Sequence, residues 1–125
     1  MPEPLDIKPT NDTPKVLFDK ENDIFEISGR SLPEDVVFFY TPIMNWLDEY
    51  KKDPLDYTEF VFKYTYFNTA TSKVILDILY KLEEFKESGM DIAITWFYEE
   101  DDEDMLDQGE EFKENVDIPF EIIPY

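Results

Sequence analysis

Cysteine and histidine are both absent from the 125 residues. Their absence removes disulfides, thiol nucleophiles, imidazole bases and the usual zinc ligands together. Only three glycines occur, Gly29, Gly89 and Gly109, at positions that read as a hairpin end, a helix end and an acidic segment. Neither a phosphate-cradling glycine loop nor a nucleophile elbow can be built from them. Basic residues are scarce: 11 stand against 31 acidic ones, a formal charge of -20. Such a field repels nucleic acid and anionic membranes and favours basic protein partners. No run of about 18 apolar residues is available to cross a bilayer, and no signal-peptide pattern is visible, so a cytoplasmic protein is expected.

What is present is a core. Hydrophobic residues make up 42% and aromatics 17% of the chain, far too many for a disordered acidic tail. The length suits one domain. Residues 1–14 are proline-rich and aperiodic and read as an extended lead-in to a domain spanning 15–125. Lys15–Asp19 and Asp23–Ser28 predict a β-hairpin closed by Gly29. Ser31 with Glu34 matches a capping box, with Pro33 in the first turn of a helix that stops at Asp53 and Pro54. Pro42 is expected to kink or break it.

Tyr57–Phe67 predicts the longest strand, with Phe60, Phe62, Tyr64 and Tyr66 on one face and Val61 and Phe67 on the other. A second helix follows from the capping-type residues Asn68, Thr69, Thr71 and Ser72 and ends at Gly89. Asp91–Tyr98 reads as a buried strand, Asp104–Asn115 as a polar helix and Ile118–Ile123 as a last strand. The order is β-β-α-β-α-β-α-β. It predicts an α/β domain with a mostly parallel sheet and helices packed against it.

The acidic run Glu99–Asp104 invites a cation, but Leu106 stands where an EF-hand ligand is needed and Gly109 is misplaced. It reads as a solvated loop and helix start, and neither metal nor cofactor is expected. Carboxylate pairs can run glycoside chemistry, yet 31 acids single out no pair, and no enzymatic activity is expected. The aromatic strand reads as core and not as a base-stacking platform, given the charge.

Asn68–Ser72 is different, because it lies at the end of a strand and the start of a helix. Free backbone N–H groups and the helix dipole favour a phosphate there. Capping alone also accounts for such residues, although four exceed the need of one cap.

The passage Tyr66-Phe67-Asn68-Thr69, together with Ile7-Lys8-Pro9-Thr10, Ser31-Leu32-Pro33-Glu34, Trp46-Leu47, Glu111-Phe112 and Pro119-Phe120, resembles the SiaC-type regulatory phosphoproteins of bacteria. The resemblance implies a fold similar to the STAS domains of anti-sigma-factor antagonists. It also implies a phosphoacceptor threonine after the asparagine, which is Thr69 here. Ala70 and Thr71 stand where two small hydroxyl residues are expected, so Thr71 is a rival acceptor. The implied partners are an anti-sigma-factor-like serine/threonine kinase, a PP2C-like phosphatase and a diguanylate cyclase activated by the unphosphorylated form. That role belongs to c-di-GMP signalling and biofilm control. Asn68, Thr69, Ala70, Thr71, Ser72 and Lys73, with the exposed side of the helix Thr71–Phe85, form the expected partner surface. The rival class is an acidic DNA mimic or constitutive decoy, whose binding ignores Thr69 and collapses with salt.

Overall fold

The computed structural model describes residues 3–125. Nine elements follow in chain order: β1 (Leu5–Ile7), β2 (Lys15–Asp19), β3 (Ile24–Ser31), α1 (Val36–Tyr50), β4 (Thr58–Phe67), α2 (Thr69–Glu87), β5 (Ile92–Tyr98), α3 (Glu103–Asn115) and β6 (Phe120–Pro124). The six strands form one sheet in sequence order, β1-β2-β3-β4-β5-β6. The pairs β1/β2 and β2/β3 are antiparallel and the other three are parallel. Successive parallel strands are neighbours, so crossovers of the usual right hand lay all three helices on one face of the sheet. Burial agrees: Phe60, Phe62 and Tyr64 on β4 are buried and alternate with exposed Glu59 and half-buried Val61 and Lys63. On the helix-free face the ammonium of Lys63 lies 4.5 Å from the Tyr125 ring centre and 5.7 Å from that of Phe97.

The architecture adds one strand to the expected order. Leu5–Ile7, inside the segment read as a lead-in, pairs with Val16–Phe18 at the sheet edge. Three residues carry too little periodicity to announce a strand, and this one exists through its partner. Gly29 does not close the hairpin: β3 continues through it at φ 101°, and the β3/β4 register shifts between Gly29 and Arg30. Tyr64 pairs with Gly29 and Tyr66 with Arg30, so Thr65 is the extra residue of a bulge. The bulge inverts the alternation. Tyr66 therefore faces outward and Phe67 inward, the reverse of the simple two-residue pattern.

Helix α1 is capped by Asp35, whose Oδ1 accepts from the Phe38 N–H at 3.0 Å, and not by Ser31. It also runs through Pro42 without a break. The carbonyl deprived of its helical donor belongs to Phe38, a residue 80% exposed on the outer side of the helix, so the lost bond falls away from the core. Under the helices the core is aromatic: Trp96 packs against Phe62, Tyr64, Phe67 and Phe112, and Trp46 against Phe18, Phe25 and Tyr50. Each such ring contributes about 1.5–3 kcal/mol by leaving water.

Candidate functional site

The parallel strands β3 and β4 end at Ser31 and Phe67, which brings the start of α1 and the start of α2 to the same end of the sheet. Asn68 caps α2: its Oδ1 accepts from the Thr71 N–H at 2.9 Å, and its carbonyl accepts the first helical bond from Ser72 at 3.0 Å. The amides of Thr69 and Ala70 belong to the first turn and have no helical acceptor. Thr69 is the first helical residue and is exposed, as are Ala70 and Lys73, while Asn68 and Ser72 are half-buried. Lys73 stands four residues after Thr69, hence on the same helix face. Its ammonium forms no ion pair among the described residues.

Thr71 has a different fate. It is 0% exposed, its Oγ1 donates to the Ser31 carbonyl at 3.1 Å, and it also bonds the Ser31 Oγ at 2.9 Å. Ser31 Oγ meets Tyr40 Oη at 2.8 Å, which meets Tyr64 Oη at 2.9 Å. The carbonyl can only accept, and this fixes every proton in the chain. Tyr64 donates to Tyr40, Tyr40 to Ser31, Ser31 to Thr71 and Thr71 to the backbone. Four hydroxyls thus tie α1, β3, β4 and the first turn of α2 together with no donor left over. Thr71 cannot touch a partner from this position, so of the expected partner-surface residues it drops out. Phe85, the far end of the expected helical surface, is buried as well.

Ser31→Ala removes the only acceptor of the Tyr40 hydroxyl and leaves a buried donor unpaired. It is expected to destabilise the fold by about 2 kcal/mol, read from urea unfolding. Burial raises the Tyr40 hydroxyl above its usual range and the Tyr64 hydroxyl well above it. The folded chain therefore holds these protons more tightly than the unfolded chain does. Their contribution to stability is complete below about pH 10 and fades as pH rises past it. The melting temperature is expected to fall between pH 9 and pH 11, and to fall less in Tyr64→Phe.

A shallow groove of about 290 Å³ runs beside Thr69, lined by Asn68, Ser72, Gln108 and Glu111 among others. It shares Phe67 and Gln108 with a neighbouring cavity of about 390 Å³ along α3. The acidic run does what its position predicts. Asp102 caps α3 by accepting from the Met105 N–H at 3.0 Å, and Glu103 and Asp104 occupy the first turn. Among the described residues no cluster of three or more acidic side chains is arranged to hold a metal ion. Among them, too, no helix is long and apolar enough to cross a membrane.

Comparison with known proteins places this geometry. The family model of SiaC family regulatory phosphoproteins matches residues 7–125. A curated Pseudomonas aeruginosa protein of uncharacterized function is 29% identical over 118 residues, covering 94% of each chain. The crystal structure of apo-SiaC from Pseudomonas aeruginosa superposes with a TM-score of 0.88 at 27% identity, over 97% of this chain and 98% of that one. SiaC as it stands in the crystal structure of the diguanylate cyclase SiaD with its activator SiaC, also from Pseudomonas aeruginosa, gives a TM-score of 0.91 at 28% identity, over 97% and 99%.

Proposed function

The chain belongs to the SiaC family of regulatory phosphoproteins, and from that premise we propose that it is a non-enzymatic cytoplasmic switch whose grip on partner proteins is set by phosphorylation of Thr69. In the unphosphorylated form it binds and activates a diguanylate cyclase, as the SiaC of the complex activates SiaD. An anti-sigma-factor-like kinase adds the phosphate and a PP2C-like phosphatase removes it, in the partner-switching manner of STAS-type antagonists.

One observation carries the reading. Thr69 is exposed at the positive end of a helix one turn before Lys73, which forms no ion pair among the described residues, while the rival Thr71 is sealed beneath it. A constitutive acidic decoy has no use for such an accessible acceptor. Phosphate adds about -1.5 to -2 charges, a small change on a surface of -20, so the effect is local. Within a packed interface the phosphate must shed water, and in the groove it meets Glu111, a charge of its own sign. Added to the purified cognate cyclase, the unphosphorylated chain is expected to raise cyclic-di-GMP production and Thr69→Glu to leave it at the basal rate. Equal activation by both would overturn the switch.

A further inference from the structure

Most of helix α1 is uncharged. One residue in three is charged (34%) across the chain, yet Val36 to Leu47 carry none. The outward side of that stretch is not covered: Phe38 is 80% and Val37 69% exposed, and Thr41, Pro42 and Asn45 continue the strip along the helix. The fold gives no reason for a phenylalanine there. Phe38 caps nothing, and the packing of α1 on the sheet runs through Tyr40, Ile43, Trp46, Leu47 and Tyr50. An uncharged strip headed by two exposed apolar side chains on an otherwise acidic surface has the character of a protein-binding site.

Its position links it to Thr69. Tyr40 of α1 and Thr71 of α2 both bond the Ser31 Oγ, which ties the N-terminal half of α1 to the start of α2. Among the described residues the other exposed large apolar side chains are less open, Ile24, Tyr57, Tyr66, Tyr80 and Tyr125 at 37–51%, and two of them are partly covered by the chain itself. Lys63 lies over Phe97 and Tyr125, and Arg30 lies over Tyr66 at 5.6 Å.

Charge selects the occupant. Glu34 and Asp35 precede the strip and form no ion pair among the described residues, whereas Asp48 and Glu49, which follow it, pair with Lys81 and Lys52. A second copy, itself at -20, would bring acids against acids. We infer that the α1 strip centred on Phe38 is the apolar anchor of the switch, seated in a pocket of the target protein that is edged by lysine or arginine. This inference rests on the reading of the chain as a Thr69-controlled activator and adds the residues that supply its affinity. The phosphate then acts at the edge of an interface whose centre is Phe38.

The test is titration calorimetry of the purified cognate cyclase with the full chain, using Phe38→Ser, the double variant Glu34→Lys/Glu49→Lys, Tyr57→Ser and Thr69→Glu. Phe38→Ser is expected to weaken binding at least about 30-fold with an unchanged melting temperature. The charge reversal is expected to weaken it about 5-fold or more at low salt, with less effect at high salt. Tyr57, also aromatic and 51% exposed but just before β4, is expected to change affinity less than about 3-fold on truncation. If Phe38→Ser binds like the wild type while Thr69→Glu does not, the anchor lies elsewhere and the switch stands. If the wild type and Thr69→Glu bind alike, or neither binds, the switch itself fails and the anchor with it.

Discussion

Thr69→Ala is expected to take up no phosphate from the cognate kinase and ATP, whereas Thr71→Val is expected to be phosphorylated at the wild-type level, read by mass spectrometry of the intact chain. The two residues are one helical half-turn apart, and their hydroxyls live in opposite environments. That of Thr69 is open to solvent on the first residue of α2. A kinase can approach it without disturbing any packed group, and the phosphate it leaves gains from the helix dipole and from Lys73 one turn on. That of Thr71 is fully buried and already donates to the Ser31 carbonyl. To phosphorylate it, a kinase must first unravel the start of α2 and break a network that joins four elements. The stability of the two variants separates them in the reverse sense. Thr71→Val deprives the Ser31 hydroxyl of its acceptor and is expected to cost about 1–3 kcal/mol, while Thr69→Ala is expected to lie within about 0.5 kcal/mol of the wild type. Wild-type phosphate uptake by Thr69→Ala would remove the basis of the account.

Gly109→Ala is expected to destabilise the fold more than any other single methyl added to α3. A Cβ at this position would stand 2.6 Å from Trp96 Cδ1 and 2.8 Å from its Nε1, closer than real Cβ contacts come. The indole cannot step aside. It is 0% exposed, ringed by Phe62, Tyr64, Phe67 and Phe112, and its Nε1 donates to the Met105 carbonyl at 3.1 Å. Relief requires α3 to lift from the sheet, which breaks that bond and opens a gap over Phe112. Overpacking of this kind costs about 3 kcal/mol, against a gain of roughly 1 kcal/mol from better helix propensity. A melting temperature lower by roughly 5–12 °C is expected for the net loss of about 2 kcal/mol. An unchanged or raised melting temperature would mean that α3 sits further from Trp96 than described. Because α3 forms one wall of the groove at Thr69, the same variant is also expected to weaken partner binding.

The elements that define the site were legible in sequence where local chemistry decides them. Asn68 caps α2 as its side chain suggests, and the acids before α3 cap and line its first turn. What escaped depends on residues far apart in the chain. Ser31 with Glu34 has the form of a capping box, but the Ser31 oxygen is claimed by Tyr40 and by Thr71, which lies 40 residues away. The cap therefore falls to Asp35. Thr71 looks like one capping-type side chain among four until the same bond draws it inside. Gly109 gives no turn signal because its reason is a tryptophan on another element. The bulge at Thr65, which sends Tyr66 out and Phe67 in, arises from pairing with Gly29 and Arg30, and no alternation within β4 alone announces it. The exposed strip on α1 is likewise hidden, since apolar residues around a whole helix read as core until the fold shows which side lacks a cover.

The central claim is that one phosphate on Thr69 decides whether the target is held. Its most direct test is the dissociation constant of the cognate diguanylate cyclase for two preparations of the chain, one unmodified and one phosphorylated at Thr69 alone. The account predicts binding at least about 100-fold weaker for the phosphorylated chain, equivalent to about 2.8 kcal/mol. Equal dissociation constants for the two preparations would contradict it.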